Sequence, residues 1–126
     1  MANFDLTCRH VELRVTDLDA ARRFYVDQLG LEVLQHAPAI QLLALRAGPV
    51  RLSIFGGLAK PAAAGACHLV FGVADLDAAI AALRAAGIEA ADAQEAPGFL
   101  RFSAIRDPNG TLIELAEYLR DPLAPV

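Results

Sequence analysis

The chain has 126 residues, 56% hydrophobic and 21% charged, with a formal charge of -4, three histidines and two cysteines. This composition describes one compact globular chain, and its acidic balance leaves no basic footprint for nucleic acid. No run reaches the roughly 18 apolar residues of a membrane-spanning helix, and the start lacks a basic segment followed by an apolar one, so a cytoplasmic protein with no membrane partner is expected.

Residues 7–16 alternate as a strand, with His10, Glu12 and Arg14 on one face and Val11, Leu13 and Val15 on the other. Asp17 or Asp19 caps a helix that runs to about Gln28 and stops at Gly30, with Phe24 among its apolar contacts. Tyr25 is expected to pack on this helix with its hydroxyl near water. Three short strands follow near 31–36, 40–46 and 50–56, broken at Ala37-Pro38 and Gly48-Pro49, with His36 facing solvent at a strand end. The first module, about 7–56, therefore reads β-α-β-β-β.

A linker rich in Gly, Pro and Ala, about 57–65, leads to a second module at about 66–118. Its strand at 66–73 precedes a helix at 76–86, capped by Asp75 or Asp77 and closed by Gly87. Strands are expected near 88–93, 99–105 and 111–117, with a turn at Asp107-Pro108-Asn109-Gly110 and an irregular tail at 119–126. Cys8 and Cys67 each lie just before a strand histidine and are expected to be reduced and buried rather than bridged.

The two modules are copies of one plan. His-Val-Glu-Leu-Arg-Val-Thr-Asp-Leu-Asp-Ala-Ala begins at His10, and His-Leu-Val-Phe-Gly-Val-Ala-Asp-Leu-Asp-Ala-Ala begins at His68. A duplicated fold brings such equivalents together about a pseudo-two-fold axis. Glu114 stands in the apolar run Leu112-Ile113-Glu114-Leu115-Ala116, where a carboxylate is costly unless it is paired, hydrogen-bonded or bound to metal. Two imidazoles and one carboxylate form a facial ligand set that leaves coordination positions open for substrate, water or O2. The plainer alternative is two satisfied strand histidines and a glutamate facing solvent.

The segment from His10 to Leu18, followed by Phe24-Tyr25 and Leu29-Gly30-Leu31, resembles the opening module of the vicinal oxygen chelate superfamily. The segment from Asp107 to Leu115 is similar to its closing one. The superfamily includes glyoxalase I, extradiol dioxygenases, fosfomycin resistance proteins and bleomycin resistance proteins. The resemblance implies a single α+β domain spanning 1–126, two βαβββ modules related by pseudo-two-fold symmetry and forming a curved mixed-sheet cavity. It also implies His10, His68 and Glu114 as ligands of one divalent metal ion, with Fe(II) placed ahead of Ni(II), Mn(II), Zn(II) and Co(II).

Ser53 falls where glyoxalase I carries a fourth ligand, which argues against that site. Ala104 falls where the extradiol signature has a tyrosine, which weighs against ring cleavage by the familiar route. Glu12 shares the strand face of His10 and is the candidate general base, its alternative being a solvated partner of Arg14. Arg101 is a candidate for holding an anionic group of the substrate. Phe55 and Phe99, with Phe71 and Phe102, are expected to divide between core and cavity wall, giving a pocket for an apolar or aromatic small molecule. The expected function is a metal-dependent, dioxygenase-like enzyme acting on an oxygen-chelating substrate. The alternatives are a glyoxalase- or epimerase-type lyase or isomerase, and a non-catalytic small-molecule or antibiotic-binding protein. A homodimer is expected in each case, since relatives usually dimerise.

Overall fold

The computed structural model describes Cys8 and residues 10–60 and 68–124. The chain forms two compact units, Met1–Pro61 and Ala62–Val126. Each carries a four-stranded mixed sheet and a helix between its first two strands, the β-α-β-β-β plan read from the repeat.

In the first unit β1 (His10–Arg14) precedes α1 (Leu18–Arg22), and β2 (Glu32–Ala37), β3 (Leu42–Ala47) and β4 (Val50–Phe55) follow. The sheet order is β1-β4-β3-β2, with β1 parallel to β4 and the other pairs antiparallel. Of the two capping candidates it is Asp17 that caps α1, its carboxylate accepting the Ala20 N–H at 3.0 Å. Asp19 falls in the first turn, where the helix dipole favours a negative charge.

The expected regular helix to Gln28 is not what forms. From Arg23 to Gln28 the backbone widens into a π-helical turn, and the Leu29 N–H reaches back to the Phe24 carbonyl at 2.9 Å. Phe24 and Tyr25 are consecutive, whereas neighbours on a regular helix point about 100° apart. The wider turn lets both rings enter the core, where Tyr25 is 0% exposed. Its hydroxyl is thus enclosed, not near water as expected. His36 is exposed, as read from the sequence.

In the second unit β5 (His68–Gly72), α2 (Leu76–Ala85), β6 (Gln94–Ala96), β7 (Leu100–Arg106) and β8 (Leu112–Tyr118) give the sheet order β5-β8-β7-β6. Asp75 caps α2 through the Ala78 N–H, and Leu76, Ile80 and Leu83 form its buried side. The Glu117 carboxylate of β8 accepts the Leu76 N–H at 2.9 Å, which ties the helix start to the sheet.

No strand forms at 88–93. Ala90, Ala91, Asp92 and Ala93 offer none of the branched or aromatic side chains that favour a pleated surface. The segment is instead pinned irregularly, by Arg84 donating to the Ala90 carbonyl and Ser103 Oγ donating to the Ala91 carbonyl. The strand that pairs with β7 starts later, at Gln94.

The expected turn forms at Asp107, a buried carboxylate whose Oδ1 accepts the Asn109 and Thr111 N–H groups at 2.9 and 2.8 Å. Asp107→Ala strands two backbone donors. It is expected to lower unfolding free energy by about 1.5–3 kcal/mol, the range for hydrogen bonds to a charged group, read as a shift in urea midpoint.

Cys8 is a free, exposed thiol, not the buried one expected. Cys67 and its expected burial lie outside the described residues. Among the described residues no helix is long and apolar enough to cross a membrane.

Candidate functional site

Strand parity and register sort each sheet into two faces. In the first unit, Val11 and Leu13 lie level with Leu52 and Ile54 on an apolar face. The other face carries His10, Glu12 and Arg14 on β1, level with Arg51, Ser53 and Phe55 on β4. Leu42, Ala44 and Arg46 of β3 continue it.

On this polar face His10 Nε2 lies 3.6 Å from Glu12 Oε1, with the side chains 46% and 51% exposed. Glu12 is therefore engaged with His10 and not with Arg14, whose guanidinium lies 5.7 Å from the centre of the Phe55 ring. Ser53 stands beside Glu12 in the register and is 4% exposed, its Oγ accepting the Arg51 Nε–H at 3.1 Å. A hydroxyl tied to a guanidinium is a poor metal donor.

The second unit repeats the histidine at the head of its first strand but carries its carboxylate on the partner strand, with Val70 where the first unit has Glu12 and Glu114 where it has Ser53. His68 lies level with Leu112, and Val70 with Glu114, so His68 and Glu114 share one face of adjacent parallel strands. Ala104 flanks Glu114 from β7 and offers only a methyl group where a tyrosine hydroxyl would assist proton transfer. Phe102 shares this face and Phe71 the opposite one.

Arg101 lies on the far side of the sheet from Glu114. The register sets it level with Glu117, on the side covered by α2. There it donates to Asp77 at 3.0 Å and lies 3.7 Å from Glu117. The hydrogen bond to Asp77 and that carboxylate's charge, with smaller contributions from Glu117 and Glu95, raise the guanidinium pKa above its ordinary value. With its charge opposed by two carboxylates, Arg101 is a tether between helix and sheet. Phe99 packs edge-on against Tyr118, ring centres 5.9 Å apart, and Arg120 lies over its ring at 4.7 Å.

Each unit thus holds one imidazole and at least one carboxylate on the same face of its sheet. These donors suit a borderline divalent ion in kind. Among the described residues no group of three or more His, Cys, Asp or Glu is gathered that could hold a metal ion. Arg51 was not singled out from the sequence. Its place in the strand at 50–56 was legible, but its position level with His10 depends on a pairing across 41 positions of chain (51 − 10).

The chain belongs to the Glyoxalase/Bleomycin resistance protein/Dioxygenase superfamily, whose family model matches residues 7–115. That superfamily includes metal-dependent enzymes and non-catalytic binding proteins. The chain is 30% identical to the uncharacterized protein YaeR of Escherichia coli strain K12, over 86% of this chain and 93% of YaeR. It is similar to a glyoxalase family protein of Enterococcus faecalis, at 30% identity and a TM-score of 0.73, covering 91% of this chain and 100% of that one. It is also similar to a lactoylglutathione lyase of Agrobacterium tumefaciens, at 25% identity and a TM-score of 0.74, covering 91% and 96%.

Proposed function

We propose that this protein is a divalent-metal-dependent enzyme acting on a small substrate with adjacent oxygen atoms, with His10, His68 and Glu114 as metal ligands. The observation that carries this reading is the repetition of an imidazole at the head of β1 and of β5, each on a sheet face that also carries a carboxylate, Glu12 on β1 and Glu114 on β8. A bound divalent ion would polarise two chelated oxygens and stabilise negative charge developing on them. Glu12 is the proton acceptor in this reading, with Oε1 held near His10 and open to solvent on the same face. Phe55 supplies apolar contact beside it. Fe(II) is the first choice of metal, giving a dioxygenase-like reaction in a cytoplasmic homodimer.

A second reading, a lyase or isomerase that moves a proton on a Ni(II), Mn(II), Zn(II) or Co(II) ion, draws support from Ala104. It leaves the neighbourhood of Glu114 without the hydroxyl that ring cleavage uses, while Glu12 supplies a carboxylate base. The likeness to a lactoylglutathione lyase points the same way.

The test is metal analysis of protein purified anaerobically without added metal. About one equivalent per chain is expected. Iron directs the next assay to O2 consumption with catechols, and the other ions direct it to proton exchange on hydroxy-ketone substrates. Protein that retains no metal even after reconstitution would sink the proposal and leave a small-molecule-binding protein as the better reading.

A further inference from the structure

The three arginines on the polar face of the first sheet differ in what neutralises them. Arg46 is closed by Glu32 at 2.8 Å, and Arg14 rests over the Phe55 ring. Arg51 has no carboxylate partner among the described residues. Its Nε donates to Ser53 Oγ and its Nη2 to Gln35 Oε1, each at 3.1 Å. Both acceptors are neutral, so the half-buried guanidinium is held in a set orientation with no carboxylate in contact among the described residues. A guanidinium carries five N–H donors, and with two used by Ser53 and Gln35 three are left for a ligand.

The register places Arg51 directly beside His10, with Glu12 one pleat further along. A group bound to Arg51 therefore lies against the His10–Glu12 pair. Phe55, on the same face, adds apolar surface. Arg101 cannot fill this role, since Asp77 and Glu117 already oppose its charge.

We infer that Arg51 is the anion-recognition residue of this face and binds a carboxylate carried by the substrate. The face sets Arg14, Arg46 and Arg51 against Glu12 and Glu32, three positive charges against two negative, an excess of one. A singly charged carboxylate balances that excess, and its two oxygens match the planar fork of a guanidinium. In the metal-free protein a doubly charged phosphate would overshoot that balance and meet Glu12. The inference rests on the proposed function for the reacting group near His10, and it narrows the substrate class to small carboxylic acids with an apolar or aromatic body.

The experiment titrates chelator-treated, metal-free protein with benzoate, with benzamide and inorganic phosphate as parallel probes, by calorimetry or ligand-observed NMR. Benzoate is expected to bind more tightly than either. Arg51→Gln is expected to weaken benzoate at least about tenfold, the loss of a charge-assisted pair, while Arg101→Gln leaves it unchanged. Gln35→Leu keeps the charge but removes an orienting acceptor, so it should weaken benzoate by less than Arg51→Gln; it is the substitute probe if Arg51→Gln fails to fold. Equal affinity for benzamide or phosphate, no benzoate binding by the native protein, or an effect of Arg101→Gln in place of Arg51→Gln would overturn the inference. Because the titration uses no metal, a failed metal analysis with intact benzoate binding removes the ion and leaves Arg51 in its role.

Discussion

His68→Ala is expected to lose the metal while keeping the fold. The imidazole stands exposed at the head of β5, outside the apolar core built by Ile105, Ile113 and Leu115. Its removal leaves no cavity, and unfolding free energy should change by less than about 1 kcal/mol. Metal affinity should fall by at least about 100-fold, because even groups that only support a ligand are worth 10–100-fold. His36→Ala is the control, since His36 is also an exposed strand histidine but lies on β2 and is neither of the two strand-head histidines of the repeat. Elemental analysis of the two variants beside native protein separates the cases. Equal loss in both would mean adventitious binding by surface histidines, and full retention in His68→Ala would remove His68 from the ligand set.

Tyr25→Ala is expected to be the most damaging single change to stability, lowering unfolding free energy by about 3–5 kcal/mol, the range for truncating a large buried aromatic. Tyr25 is completely enclosed, and its ring meets Phe24 edge-to-face with centres 5.0 Å apart and planes at 88°. Truncation would leave a void in the turn that the π-helical widening serves, and would remove an aromatic pair contributing about 0.5–1.5 kcal/mol. Tyr25→Phe isolates the hydroxyl: no buried side-chain nitrogen or oxygen among the described residues lacks a hydrogen-bond partner. That substitution should cost about 0.5–1.5 kcal/mol. Urea unfolding of the two variants checks both values, and a loss below about 1.5 kcal/mol for Tyr25→Ala would show that the neighbouring core closes over the gap.

The legible part of this chain was what short-range chemistry dictates. Alternation along 10–14 placed His10 and Glu12 on one face, and the caps at Asp17 and Asp75 are local hydrogen bonds between residues three apart. The repeated phrase beginning at His10 and at His68 announced two units of like order, and the two four-stranded sheets have that order. Illegible were the places where packing overrode propensity. Two adjacent aromatics that both had to be buried widened the first helix, and the alanine-rich stretch after α2 had too little side chain to hold a strand.

The site divides in the same way. The sequence by itself determined the kinds of donor, their repetition, the family, and which residues of each strand share a side. Only the tertiary structure decided which side of the second sheet α2 covers, and with it the engagement of Arg101 by Asp77 and Glu117. It also decided that Arg51, held by two neutral acceptors, stands beside His10. The physical reason is register: alternation fixes a side chain's face relative to its own strand, but its neighbours are set by hydrogen bonding to a strand tens of residues away, and a shift of one residue would exchange every face.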